Sequence, residues 1–348
     1  LEPGRVVLAD ALAPVLNPTT RQPRRERRPV GALSGKVKNP DPPADYRYNR
    51  NLYRYLRWRL AHPGPDGPFV PGFARNLPDS THQVVPTRYR NPDQLPEGGV
   101  LVVGASATGL QLAAEIHRSG RPVTLSVGRH TRMPRRYRGR DIMAWLDEMG
   151  ILEQRAVEVR DLEASRAQQS LQLVGTPDHT TLDLDVARRL GIRLTGRARL
   201  ALGATVHFED NLIEDVVAAD LKLVQLLRRI DDHITSTGQS DLVAPARHPE
   251  LIDVDEGPAS IDLERAGIRT VLWATGFRRS YPWLHVPVVS ADDEIVHDRG
   301  VTPVPGVYVM GLRFLRRRSS SFIDGQARDA EEIADHILEH RTATAAVA

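Results

Sequence analysis

The sequence predicts an α/β protein whose organising unit is a strand, a glycine-marked turn, a helix and a second strand. Three observations carry that prediction. The run Val100 to Val103 is apolar throughout and rich in β-branched residues, as a strand buried on both faces must be. It breaks at Gly104, after which Leu110, Ala113, Ala114 and Ile116 recur at helical spacing and mark Ala107 to Arg118 as a helix. Ser119-Gly120 ends that helix, and Pro122 to Val127 follows as a second strand.

Along the chain, residues 1–70 differ in composition from the rest. Arg21 to Arg28 is a dense basic cluster, and Pro23, Pro29, Pro40, Pro42 and Pro43 interrupt any periodicity, so an atypical, loosely held or disordered segment is expected. Within it, Tyr46 to Leu60 interleaves aromatics with arginines. That pattern suits an amphipathic helix laying Leu52, Tyr55, Leu56 and Arg59 against a partner surface better than it suits stacking on single-stranded nucleic acid. Residues 71–98 read as an extended connector, because Pro71, Pro78, Pro86, Pro92 and Pro96 exclude long helices.

Residues 99–250 read as a nucleotide-binding domain built on the opening unit. After its second strand come a basic loop, Arg129 to Arg140, and a short amphipathic helix, Asp141 to Met149, with Ile142, Trp145 and Leu146 on one side. Residues 153–182 are polar and irregular; Asp183 to Leu190 suits a short helix stopped at Gly191. Ile192 to Phe208 alternates as two or three strands around Gly196 and Gly203. Asn211 to Ile234 carries the longest helical stripe, Leu212, Val216, Ala219, Leu223, Leu226, Leu227 and Ile230, with Asn211 placed to cap it.

Residues 251–348 form the remaining part. A strand from Arg269 ends at Ala274-Thr275-Gly276, and another, Val307 to Met310, stops at Gly311. An arginine-rich loop from Arg313 to Arg318 leads through Ser319 to Ser321 and Asp324-Gly325 into a closing helix, Gln326 to Glu339.

The hexapeptide Gly104-Ala105-Ser106-Ala107-Thr108-Gly109 matches the G-x-G-x-x-G corner with Ser106 in the second glycine's place. Gly104 allows the tight turn, the small residues from Ala105 to Thr108 let a phosphate approach the backbone, and Gly109 lets the helix pack closely on the strand. A pyrophosphate would meet the free N–H groups of the helix start. At the end of the second strand, where an NAD site carries a carboxylate, this chain has Gly128-Arg129-His130-Thr131-Arg132. NADPH is therefore the expected cofactor, with Arg129 the first partner of its 2′-phosphate and Arg132 the second.

Composition excludes other chemistry. With 47 Lys+Arg against 44 Asp+Glu the net charge is only +3, which gives no bulk argument for nucleic acid. There is no cysteine, so thiolate metal sites and Cys-pair redox mechanisms are out. No apolar run is long enough to span a bilayer, and a cytoplasmic location is expected. Among the 12 histidines no pair at His-x-x-x-His spacing comes with a third ligand in a fitting context, and no Gly-x-Ser-x-Gly elbow surrounds the serines. No catalytic side chain is assigned.

The corner Gly104 to Gly109, the strand end Ala274-Thr275-Gly276-Phe277 and the Gly311 to Gly325 tail together resemble the NADPH-dependent flavoprotein oxidoreductases of the flavin-containing monooxygenase group. The likeness extends over roughly residues 69–340 and is strongest to bacterial FAD-dependent oxidoreductases. It implies a Rossmann-like NADPH domain inserted into an FAD-type domain, of which residues 251–348 would be the C-terminal part. It also implies cofactor contacts at Thr275, Gly276 and Gly311, while Asp324 either bonds a cofactor hydroxyl or caps the last helix. FAD and NADPH would then carry the chemistry, hydride passing from NADPH to flavin and oxygen to a small organic substrate.

The absence of cysteine fits that group better than the neighbouring disulfide reductases. Residues 1–70 offer no strand followed by G-x-G-x-x-G for FAD, so that segment is expected to be divergent or wrongly delimited, or the chain a fragment. The alternative function is a non-catalytic NADPH-binding remnant with a basic arm for a partner.

Overall fold

The structure is a computed structural model that describes residues 7–9, 67–168, 171–174 and 180–347. The chain divides into two units: a larger one, Asp66–Gln154 with Val159–Arg278, and a smaller one, Leu1–Pro65 with Arg155–Glu158 and Arg279–Ala348. The Tyr46 to Leu60 pattern lies outside the described residues, as does most of the expected N-terminal segment.

The larger unit is built on five parallel strands. They are β1 (His82–Val84), β2 (Gly99–Val103), β3 (Val123–Ser126), β4 (Arg193–Thr195) and β5 (Ile268–Trp273), in the order β1-β5-β2-β3-β4. Helix α1 (Ala107–Arg118) carries the chain from β2 to β3. Every residue of β2 is buried. Its two faces go to different neighbours: Val100 and Val102 pack with Leu110, Ala113, Ala114 and Ile116 of α1, while Leu101 and Val103 pack with Ala198, Ala201, Val206 and Phe208. The latter belong to a three-stranded antiparallel sheet, Ala198–Leu202, Thr205–Phe208 and Ser260–Asp262. A strand covered on both sides must be apolar at every position, which is why alternation is absent from Val100 to Val103. Each such aliphatic residue contributes roughly 1.5–3 kcal/mol by leaving water.

The strands of this sheet are far apart in sequence, and that moves the expected boundaries. The segment read as a connector supplies the edge strand β1, and β5, beyond residue 250, inserts between β1 and β2. Trp273 in β5 donates from Nε1 to Gln83 Oε1 of β1 at 3.0 Å. The compact unit built on this sheet runs from about residue 66 to residue 278, where the sequence reading places bounds at 98 and 250. An apolar run reads the same whichever parallel sheet it joins, so its partners are settled only by tertiary pairing.

The long amphipathic stripe is a helix over Leu212–Ser236, with Leu223, Leu227, Ile230 and Ile234 packed on Ile142 and Trp145 of the short helix Ile142–Glu148. Asn211 stands at its N-cap position but makes no side-chain cap bond. Its Oδ1 instead accepts from the Arg197 N–H at 3.1 Å, a tie from the helix start to the end of the β4 region. In the smaller unit, the strand Val307–Val309 pairs in parallel with Val7–Ala9, and a helix spans Gln326–Val347. Ala330 and Ile333 pack with Val307, Val309, Met310 and Leu315.

Candidate functional site

In the parallel sheet, β2 continues through α1 to β3 on one side, while β5 arrives on its other side. The direction of winding changes there, and the carboxyl ends of β2 and β5 border the crevice where open α/β sheets bind ligands. The hexapeptide Gly104 to Gly109 forms that corner.

Both glycines are required by close approach. Gly104 has φ +107°, and a Cβ on it would lie 2.4 Å from the Ala274 carbonyl oxygen. A Cβ on Gly109 would lie 1.8 Å from the Gly104 carbonyl oxygen and 3.4 Å from the Ala274 side chain. Helix, turn and neighbouring strand end are pressed together so tightly that only glycine fits.

The corner's hydrogen bonds divide it in two. The Gly104 N–H donates to Ser126 O at 2.9 Å, continuing the β2 to β3 ladder, and the Leu110 N–H makes the first helical bond to Ser106 O at 3.0 Å. Between them, the amides of Ala105 to Gly109 donate to no acceptor among the described residues. The Ala105 carbonyl is drawn the other way, because Gln172, 1% exposed, donates to it from Nε2 at 2.7 Å. A run of unpaired donors at a helix start, with a carbonyl held inward, is an arrangement that accepts an anion.

The two arginines expected to read the 2′-phosphate part company. Arg129 is exposed, three residues past β3, and takes part in no ion pair or hydrogen bond among the described residues. Arg132 is 4% exposed and fully engaged: Nε and Nη2 meet Asp183 Oδ2 at 3.0 and 2.9 Å, and Nη1 meets Asp220 Oδ1 at 2.7 Å and the Glu250 carbonyl at 2.8 Å. Arg132 is therefore a buried structural cation, and its expected phosphate role is withdrawn. Two carboxylates supplied from Asp183 and Asp220, 51 and 88 residues away, could not be read from the loop itself.

His130 between them is buried, with Nδ1 donating to Gly128 O at 3.0 Å and Nε2 left without a partner. Burial lowers its pKa below the ordinary imidazole value, so it stays neutral. Burial likewise raises the Asp215 carboxyl, against the pull of Arg129.

Thr275 and Gly276 sit at the end of β5, in the same unit. The Thr275 hydroxyl donates to the Phe69 carbonyl, and the Phe69 N–H donates to Gly276 O at 2.9 Å. Arg278 stacks over the Phe69 ring at 4.4 Å. These residues fasten the incoming and outgoing chains to each other, a use the motif alone does not reveal.

In the smaller unit, Gly311 follows the strand Val307–Val309 at φ +79°. Asp324 is exposed and its Oδ1 accepts from the Gly325 N–H at 3.1 Å. The arginines of the loop are tied up by the chain itself: Arg316 pairs with Glu332 at 2.6 Å, and Arg317 with Asp329 at 2.6 Å and with Glu332. An open cleft of about 790 Å³ in this unit is lined by Asp298, Glu332, Asp335 and Glu339 with Arg299 and Arg316. Both arginines are already paired, Arg299 with Asp298 at 3.6 Å and Arg316 with Glu332 at 2.6 Å, so this cleft of four carboxylates disfavours a pyrophosphate.

Two residues of the larger unit were not singled out by pattern. Gln172 lies in a polar stretch with no periodicity and no sequence signal for its role. Arg197 had a faint one, an arginine two residues beyond the strand Arg193–Thr195.

No protein-family profile matches the chain. Curated relatives that do include an uncharacterized oxidoreductase, CzcO-like, of Geobacillus kaustophilus, 29% identical over 78% of this chain, and the uncharacterized oxidoreductase CzcO of Bacillus subtilis, 25% identical over 82%. The chain is a relative of these oxidoreductases. It spans 62% and 66% of the two CzcO-type proteins, less than two thirds of their length. Among solved structures, a flavin-containing monooxygenase from Stenotrophomonas maltophilia aligns at 15% identity with a TM-score of 0.45, over 78% of this chain and 59% of its own. Among the described residues no helix is long and apolar enough to cross a membrane.

Proposed function

We propose that this chain is the NADPH-binding part of an oxidoreductase, with the dinucleotide held at the Gly104 to Gly109 corner and its 2′-phosphate read by Arg129. One observation carries the proposal: unpaired amides from Ala105 to Gly109 face a switch point of a parallel sheet, in a turn where no Cβ would fit at Gly104 or Gly109. The relatives' name, oxidoreductase, supports the same reading.

NADPH supplies a hydride when bound. The residues of this chain bind and orient it. Amides at the start of α1 receive the pyrophosphate, Gln172 keeps the Ala105 carbonyl turned away from it, and the Arg129 guanidinium offers its planar fork to the extra phosphate. The absence of a carboxylate at Gly128 to Arg132 removes the repulsion that would exclude that phosphate.

The resemblance extends the proposal to a monooxygenase-like flavoprotein with FAD as hydride acceptor and a small organic molecule as substrate. The acid-lined cleft of the smaller unit does not fit the FAD pyrophosphate, so no step is derived through it. A second reading, a NADPH-binding chain without flavin, is favoured by the acid-lined cleft of that unit. The visible absorption of the purified protein, with and without added FAD, separates the two. A yellow protein supports the flavoprotein; a colourless one that takes up no FAD supports the second. Titration with NADP+ tests what both share, and failure to bind it would end both.

A further inference from the structure

The parallel register of β3 and β4 pairs Leu125 with Leu194 and Ser126 with Thr195, and the Val127 N–H donates to Thr195 O at 2.9 Å. Two residues further along each strand come Gly128 and Arg197, side by side at the carboxyl edge of the sheet. A Cβ placed on Gly128 would be 3.5 Å from both Cγ and Cδ of Arg197, so the stem of Arg197 lies on the Gly128 backbone, next to Arg129.

The backbone of Arg197 is held on both sides. Its N–H donates to Asn211 Oδ1 at 3.1 Å, and its carbonyl accepts from the Glu209 N–H at 2.8 Å. Ser126 locks the turn from below, with its hydroxyl donating to Gly196 O at 2.9 Å and accepting from the Ala198 N–H at 2.9 Å. The head group, by contrast, is largely in solvent, 62% exposed, with Glu209 Oε1 at 4.0 Å as its ion-pair partner. Such an exposed pair at the limit of contact is weak. A phosphate dianion offers more charge and a geometry that matches the guanidinium fork.

We propose that Arg197 is a second specificity-determining cation of the nucleotide site, closing on the 2′-phosphate from the β4 side while Arg129 meets it from the β3 side. The inference rests on the NADPH reading above. It replaces the withdrawn Arg132 by a cation on the neighbouring strand whose main chain is fixed and whose guanidinium is accessible. Glu209 and Asp215 are the carboxylates the phosphate must outcompete.

The test is calorimetric titration of the full chain with NADP+ and, separately, NAD+. Losing one charge-assisted contact in Arg197→Gln is expected to weaken NADP+ binding by about tenfold or more, with NAD+ changed less than about twofold. Arg197→Lys should recover only part of the loss, because a point charge lacks the fork. Glu209→Gln should tighten NADP+ by about twofold to threefold by removing the competing carboxylate. Equal weakening of both nucleotides in Arg197→Gln, or no change in NADP+, overturns the proposal while leaving the NADPH reading intact if the wild type still prefers NADP+. A wild type that does not distinguish the two nucleotides, or binds neither, overturns the reading and the inference with it.

Discussion

Arg129 in the larger unit and Arg317 in the smaller each stand in a basic loop after a buried strand, three and eight residues on. Arg317 is met by Asp329 and Glu332 from the helix that closes its unit, and Arg132, only three residues past Arg129, is met by Asp183 and Asp220. Arg129 meets no carboxylate at ion-pair distance among the described residues. A guanidinium is available to a ligand when the surrounding fold withholds a carboxylate from it. The ligand-accessible surfaces of the two units differ in the same way: one presents bare amides, the other a cleft of acids.

Substitution at the corner glycines should have the strongest consequence. In Gly109→Ala the added methyl meets the Gly104 carbonyl oxygen at 1.8 Å, so the turn must move and NADP+ binding should fall below detection. Overpacking of this kind destabilises by about 1–3 kcal/mol, and thermal unfolding with a NADP+ titration measures both effects. Normal affinity in that variant would show that the corner is not the site.

The paired arginines give the next largest effect, with opposite signatures. Arg132→Met strands two buried carboxylates and should lower unfolding stability by about 3–5 kcal/mol in urea, leaving NADP+ affinity of the folded protein unchanged. Arg129→Ala should alter stability by less than about 0.5 kcal/mol yet raise the Michaelis constant for NADPH by about tenfold or more, with little change for NADH. If both constants rise equally, Arg129 does not recognise the 2′-phosphate.

A weaker effect is expected from the buried histidine of the basic loop. His130 is held neutral by burial, its pKa lying below the ordinary 6.5. In the unfolded chain it takes up a proton at higher pH than in the folded one, so stability should decline as the pH falls below about 6.5 and level off once the folded value is passed. His130→Phe should remove that part of the slope. Urea midpoints across the range from about pH 7 down to about pH 5 measure it, and an unchanged slope would assign the acid sensitivity elsewhere.

Local chemistry determined much of this protein directly from its sequence. The strand, turn and helix at residues 100–118, the helix at Leu212–Ser236 and the glycine corner follow from periodicity and from residues that only one backbone conformation suits. These signals are local because they reflect contacts within one turn or along one strand. Tertiary structure alone decided which strands became neighbours, that β5 belongs beside β2, and which arginine kept its charge free. Those outcomes depend on carboxylates and strand edges tens to hundreds of residues distant, and a loop's own sequence carries no record of what will fold against it.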